Sequence, residues 1–229
     1  MPSQSPYTWA TVHTATGDQH RYRDTRTGRY IPARQVRAEL DRFVDTAGRN
    51  AARDLTGQLR DGRISLAEWQ TAMARAVKNV NYAAVAAASG GVENMTAVER
   101  GRAGAIIKEQ YKYLRNFAAE IESGKQPLDG RAMRRAEMYM QAGRGAFYEQ
   151  RRTGIGAAHP GAALMIRSRR HKGDSCRTCI ELDGRWFPMG SAEYIPVGQR
   201  ECNVSCRCDE ETGQMSDTGA VESYGVDAF

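Results

Sequence analysis

The chain has 229 residues, of which 41% are hydrophobic and 26% are charged, and its formal net charge at pH 7 is +6. This composition is typical of a globular protein with one domain and a small appendage, or with two small domains. It excludes a membrane-spanning protein, because no run of about 18 apolar residues occurs. The amino-terminal residues lack a basic segment followed by an apolar one, so no secretory signal is expected. In a reducing cytosol, clustered cysteines favour metal binding over disulfides.

The charge is unevenly distributed along the chain. Between Arg131 and Lys172 there are ten Lys and Arg against two acids, and after Arg207 six acids follow without a Lys or Arg. Such a basic segment is typical of a surface that meets polyanions. The alternative interpretation is an ordinary solvated helix face, and the sequence leaves both open.

Residues 1–31 predict an extended amino-terminal arm. Residues 1–20 show no clear hydrophobic period, which is typical of an extended or partly disordered segment. Residues 21–31 indicate two short strands around Thr27 and Gly28, because glycine supplies the positive φ of a tight hairpin turn.

Residues 32–153 predict an α-helical domain, because apolar residues recur at spacings of three and four. Ser65 with Glu68, and Thr96 with Glu99, have the form of capping boxes and predict two helix starts. Asp129 predicts the start of the last helix. The four predicted helices cover residues 32–62, 65–90, 96–124 and 129–152. Short turns between them predict a mainly α fold, an elongated helical bundle or stacked helical hairpins.

Residues 162–209 predict a small β-rich zinc-binding module, entered by a strand at 162–170 and followed by a flexible acidic tail at 210–229. So short a segment buries too little surface to fold alone. Structural zinc supplies the difference, at roughly 10–16 kcal/mol of apparent binding energy. The candidate ligands are the five cysteines of the chain: Cys176, Cys179, Cys202, Cys206 and Cys208.

Five cysteines compete for the four positions of a tetrahedral zinc ion. Cys176 and Cys179 form a C-x-x-C knuckle that places two thiolates on one metal. The preferred set adds Cys202 and Cys206, with Cys208 as the replacement for Cys206. A disulfide-linked or simply reduced loop is the alternative.

The predicted zinc is structural, because an all-cysteine site leaves no open position for a substrate or water. His171 is the histidine nearest the cysteines, and it is interpreted as a surface residue. The chain contains no P-loop, no G-x-S-x-G and no H-E-x-x-H motif, so no enzyme activity is expected.

The cysteine pattern resembles a known one. A C-x-x-C pair, a turn-rich stretch with Pro196-Val197-Gly198, and a closing C-R-C at residues 206–208 are similar to the carboxyl-terminal motif of phage head morphogenesis proteins, the Mu F-like minor head proteins. In many members the closing element resembles H-P-x-C-R-C. Here Cys202 replaces the histidine, and one residue is inserted.

The helical segments before the cysteines are also similar to that family in their order. The stretches concerned are residues 61–69, 110–114 and 135–139, so the resemblance covers roughly residues 22–209. It implies a virion structural protein, a minor head or portal-associated component that acts in head morphogenesis by protein–protein contacts. The implied partners are portal or major capsid proteins, or both, and the implied location is the virion head or portal vertex, with the host cytoplasm during assembly.

Weak, non-specific contact with packaged DNA is expected beside those protein contacts, and no contact with a membrane. The alternative is a zinc-containing nucleic-acid-binding protein. The basic residues from Arg167 to Lys172 beside the cysteine knuckle favour that alternative, because Lys and Arg side chains bind phosphates.

Overall fold

The computed structural model describes residues 7–14, 17–170, 173 and 175–223. Helices form most of this part of the chain, so the predicted mainly α class is confirmed, while the elongated shape stays a prediction. No helix within the described ranges is long and apolar enough to cross a membrane. The helices are α1 (Ala33–Arg42), α2 (Arg49–Arg60), α3 (Leu66–Ala88), α4 (Ala97–Glu122), α5 (Gly130–Ala158) and the short α6 (Arg177–Leu182).

The first predicted helix is interrupted. A π-helical segment, Phe43–Gly48, separates α1 from α2. Gly48 lies close to α5, since a Cβ added there would be 3.2 Å from the Cβ of Met140. In the same segment the Asp45 carboxylate accepts a hydrogen bond of 2.8 Å from the Arg144 guanidinium of α5. The expectation of one regular helix over 32–62 was wrong here, because packing against α5 sets the local geometry.

Both predicted capping boxes are confirmed. The Ser65 hydroxyl accepts from the backbone N–H of Glu68 at 3.2 Å, and the Glu68 carboxylate accepts from the N–H of Ser65 at 2.8 Å. Thr96 and Glu99 form the same reciprocal pair at the start of α4. A cap of this kind contributes about 1 kcal/mol, which fixes where each helix begins.

The last long helix begins where predicted and ends later. Asp129 accepts a hydrogen bond of 2.8 Å from the backbone N–H of Arg131. The predicted end near Arg152, with a linker at 154–156, was wrong, because α5 continues to Ala158. Ile155 is 2% exposed, and burying its side chain stabilises the fold by roughly 2 kcal/mol. This gain offsets the helix propensity lost at Gly154 and Gly156, about 1 kcal/mol for each glycine.

The main core lies between α3, α4 and α5. Trp69 of α3 is fully buried, and its indole donates a hydrogen bond of 3.2 Å to the hydroxyl of Thr56 in α2. The Trp69 ring meets Phe117 of α4 edge-on at 5.3 Å, and Phe117 stacks on Tyr139 of α5 at 6.1 Å. These aromatic contacts tie four helices into one body.

The amino-terminal residues form a three-stranded antiparallel sheet in the order β1-β2-β3. The strands are β1 (Tyr7–Thr14), β2 (Gly17–Asp24) and β3 (Tyr30–Ile31). The predicted hairpin around Gly28 is confirmed: Tyr22 pairs with Ile31, and Gly28 has φ of +67°. Within the described residues, the extended or partly disordered arm expected over 1–20 is part of an antiparallel strand pair, in which residues 7–14 pair with residues 17–24.

A second antiparallel sheet lies at the carboxyl end, in the order β5-β4-β6-β7. Its strands are β4 (Leu164–Arg169), β5 (Trp186–Pro188), β6 (Asp209–Met215) and β7 (Val221–Ser223). β4 confirms the strand predicted at 162–170. The flexible tail predicted at 210–229 was wrong as far as Ser223, because β6 pairs with β4 along its length. The rest of that tail lies outside the described residues.

Candidate metal centre

Two short segments carry the cysteines. Cys176 is the amino-terminal cap residue of α6, and Cys179 lies in its first turn. Cys202 and Cys206 flank a single 3-10 turn, Asn203–Ser205, and Cys208 comes directly before β6. The start of α6 and the 3-10 turn therefore bring cysteines that are far apart in sequence close together in space.

All five predicted residues belong to this cluster. Cys176, Cys179 and Cys202 form one triplet and Cys179, Cys206 and Cys208 a second, and within each triplet the sulfurs lie within 4.8 Å of one another. Cys179 is common to both. Either triplet could hold a metal ion.

Two of the sulfur–sulfur distances match those of a tetrahedral metal site. The Sγ of Cys179 lies 3.6 Å from the Sγ of Cys202 and 3.6 Å from that of Cys206. Metal–sulfur bonds of about 2.3 Å place the sulfurs of a tetrahedral site about 3.8 Å apart. None of the five cysteines forms a disulfide. No cysteine pair in the structure therefore supports the alternative of a disulfide-linked loop.

The cluster is buried on one side and reachable on the other. Cys179, Cys206 and Cys208 are buried, whereas Cys176 and Cys202 are only half-buried. The three buried cysteines pack in the same apolar cluster as the helices. A metal ion here would join the module to the helical core.

The buried sulfurs differ in their acidity. The hydrogen bond from the Cys208 thiol, aided by the charge of Arg200, lowers the pKa of Cys206 to about 5. Donating that hydrogen bond and being buried raise the pKa of Cys208. Burial also raises the pKa of Cys179. The lowered pKa of Cys206 favours its thiolate, which is the form that binds metals.

Arg200 is a buried cation in contact with the cluster, and its role is not predicted by any sequence pattern. Its side chain is 3% exposed. Its Nη1 lies 3.7 Å from the Sγ of Cys179 and 3.8 Å from that of Cys206. No motif or period marks this residue, because its role depends on contacts that only the folded chain brings together.

Side chains around the closing cysteines dock the module on α5. The Ser205 hydroxyl donates to the Gln141 amide oxygen at 3.1 Å, and the Tyr148 hydroxyl donates to Asp209 at 2.7 Å. Arg152 forms an ion pair with Glu210, which is 3% exposed. The module therefore packs on the helical body.

The basic segment is largely paired with acids. Its arginines do not lie side by side as one open surface, and most of them contact a carboxylate within 4 Å. Several of those carboxylates come from the acidic segment after Arg207. The pairs are Arg131–Asp129, Arg135–Glu120, Arg144–Asp41, Arg144–Asp45, Arg152–Glu210, Arg167–Glu211, Arg169–Glu211 and Arg170–Asp183.

His171 and Lys172 lie outside the described residues, so the interpretation of His171 as a surface residue stays a prediction. No family model, no curated protein and no solved structure matches this chain.

Proposed function

We propose that the cysteine cluster binds one structural zinc ion, and that the protein is a minor head or portal-associated component of a bacteriophage virion. The observation that carries the zinc proposal is the convergence of five thiols, with sulfurs 3.6 Å apart, on the edge of the helical core. In this role the metal fixes the carboxyl-terminal module on α5, and the protein acts by contacts with other proteins.

The donor set favours zinc. Thiolate sulfur is a soft ligand, and a tetrahedral site of four sulfurs is typical of structural zinc or of iron–sulfur centres. The C-x-x-C of Cys176 and Cys179 at the start of a short helix is a common zinc knuckle. With four sulfurs bound, no position is left for a substrate, which supports a structural role over a catalytic one.

The virion role is supported by the resemblance of the closing cysteines and the P-x-G turn to the Mu F-like minor head proteins. The docking of the module on α5 supports that role, because a metal-bound module held on a helical body presents a fixed surface to a portal or capsid partner. Nucleic-acid binding, the alternative, receives less support, since Arg167, Arg169 and Arg170, which favoured it, contact carboxylates.

Two measurements test the proposal. Metal analysis of protein purified under reducing conditions should find about one zinc per chain, and less than about 0.2 with an ordered module would contradict the zinc site. Mass spectrometry of purified phage particles should find the chain at a low, constant copy number. Its absence from particles would contradict the virion role and leave the zinc site standing.

A further inference from the structure

Arg200 sits in an unusual electrostatic environment for a buried guanidinium. Its Nε donates to the carbonyl of Ile195 at 2.9 Å, its Nη1 to the hydroxyl of Ser168 at 2.8 Å, and its Nη2 to the hydroxyl of Tyr194 at 3.1 Å. Among the described residues, no carboxylate lies within ion-pair distance of it. A buried charge is costly unless an opposite charge meets it. The buried Glu210 carboxylate, which pairs with Arg152, attracts the guanidinium from beyond that distance. The groups in contact with Arg200 that can carry the opposite charge are the sulfurs of Cys179 and Cys206.

We propose that Arg200 is the positioning residue of the metal centre: it holds the Cys179 and Cys206 thiolates on the metal, and makes Cys206, not Cys208, the fourth ligand. This inference rests on the proposed zinc site. Four thiolates and one divalent ion carry a net charge of about −2. A buried guanidinium that donates to two of the sulfurs offsets part of this charge.

The choice between Cys206 and Cys208 follows from how Arg200 is held. The Tyr194–Ile195 loop accepts from Nη2 and Nε, and Ser168 of β4 accepts from one N–H of Nη1, so these three contacts fix the plane of the guanidinium. In that plane Nη1 reaches Cys179 and Cys206 at nearly equal distances, 3.7 and 3.8 Å. Cys208 is within 4.8 Å of both sulfurs and receives no hydrogen bond from Arg200 among the contacts of the described residues. Arg200 therefore favours Cys206 over Cys208 as the ligand beside Cys179.

The test compares metal binding by the full chain and by Arg200→Met and Arg200→Lys. In zinc competition with a chromophoric chelator, Arg200→Met should bind about 10- to 100-fold more weakly, the usual effect of removing a group that orients a metal ligand. Arg200→Lys restores the charge without the two-sulfur geometry and should recover part of the loss. Arg177→Met is the matched control, because Arg177 lies between the knuckle cysteines with a side chain 82% exposed.

The absorption spectrum of bound Co²⁺ distinguishes a positioning role of Arg200 from a purely structural one. The thiolate-to-Co²⁺ charge-transfer band should shift in energy in Arg200→Met, because hydrogen bonds to sulfur are lost, and stay unchanged in Arg177→Met. Cys208→Ser should keep the full band intensity of four thiolates, whereas Cys206→Ser should lose about a quarter of it. If Arg200→Met does not fold, Tyr194→Phe removes one anchor of the guanidinium and should give a smaller shift in the same direction.

The outcomes separate the two claims. Wild-type protein that binds neither zinc nor cobalt would overturn the metal site and this inference together. Wild-type binding with unchanged affinity and spectrum in Arg200→Met would overturn the inference alone. Loss of a thiolate in Cys208→Ser, with Cys206→Ser intact, would reverse the ligand assignment.

Discussion

Gly145 of α5 and Gly198 of the carboxyl-terminal module meet backbone to backbone: a Cβ added at Gly198 would lie 3.2 Å from the Cα of Gly145. The loop that carries Gly198 also contains Val197, which is 2% exposed and whose N–H donates to the Glu210 carboxylate at 2.7 Å. No side chain separates helix from loop at this point. The close approach therefore sets how the module docks on the helical body.

The two glycines should respond to alanine in opposite directions. Gly198 has φ of +92°, so Gly198→Ala combines a strained backbone with a tight contact and should lower the free energy of unfolding by about 1–3 kcal/mol. A Cβ at Gly145 would lie 3.7 Å from its neighbours, which is ordinary contact. Gly145→Ala should be neutral or raise stability by up to about 1 kcal/mol, because alanine favours the helix. Urea unfolding of both variants checks this, and equal losses would contradict the docking geometry.

Removal of the metal should loosen the module before the helices. Chelation, or Cys176→Ser, should increase amide hydrogen exchange in β4, β6 and the 203–205 turn, and at Gln141 of α5, which Ser205 contacts. α3 and α4 should stay protected, because Trp69 and Phe117 give them a core of their own.

Ser175→Ala is the control for the exchange experiment, since Ser175 lies beside the knuckle and carries no thiol. The measurement is exchange mass spectrometry with and without chelator. Simultaneous loss of protection in α3 and α4 would show that the metal supports the whole chain. Unchanged amide exchange in β6 would show that the strands are stable without the metal.

The features that the sequence predicted well are those fixed within a few residues. The capping boxes at Ser65 and Thr96 each need only a glutamate three residues on, so their geometry is local. The turn at Gly28 needs only a residue that adopts positive φ. The cysteine cluster could be predicted because its ligand types and the C-x-x-C spacing already define a metal-binding turn.

The features that the sequence did not predict depend on distant partners. The π-helical segment accommodates Arg144, which lies far along the chain from Asp45. The Gly/Ser/Asp-rich composition of residues 211–229 predicts a flexible tail, yet Glu211 of β6 forms a bidentate ion pair with Arg167 on β4. Arg200 has no local signature, since its partners come from the cysteine segments, β4 and a loop.

Acid should weaken the β4–β6 pairing through Glu211. Burial alone would raise the pKa of Glu211, but the hydrogen bonds from Arg167 and Ser223, together with the charges of Arg167 and Arg169, outweigh it and hold that pKa below its ordinary value of 4.5. A carboxylate with a lowered pKa contributes stability above its ordinary value and loses it as pH falls through the lowered one.

The variant Glu211→Gln tests this contribution. It should be less stable than wild type at pH 7, and the difference should shrink as pH falls below about 4.5. Unfolding curves of both proteins at matched metal content measure it, because acid also releases metal from thiolates. A difference that stays constant from pH 7 to pH 3 would mean that the ion pair does not contribute.

DNA binding should be weak, non-specific and secondary to protein contacts. The arginines of the 131–170 segment are mostly engaged by carboxylates, so a duplex must compete with intramolecular ion pairs for them. Arg131 and Arg134 on α5 are exposed, and Arg131 has only a long ion pair of 3.9 Å with Asp129, so these two arginines are the best placed of the segment to meet phosphate. We expect dissociation constants of about 10⁻⁴–10⁻⁶ M at physiological salt, with no preferred sequence.

A salt titration on duplex DNA distinguishes the two kinds of arginine. Each phosphate contacted adds about 0.9 to the slope of log affinity against log salt. Arg131→Ala with Arg134→Ala should flatten this slope and leave the unfolding curve unchanged, because neither side chain is buried. Arg167→Ala should instead lower stability, through the loss of Glu211's partner, and change the slope little. Nanomolar, sequence-selective binding at physiological salt would contradict the structural role and favour a nucleic-acid-binding protein. If the protein does not bind DNA at all, the exposed arginines are protein-contact or solvated groups.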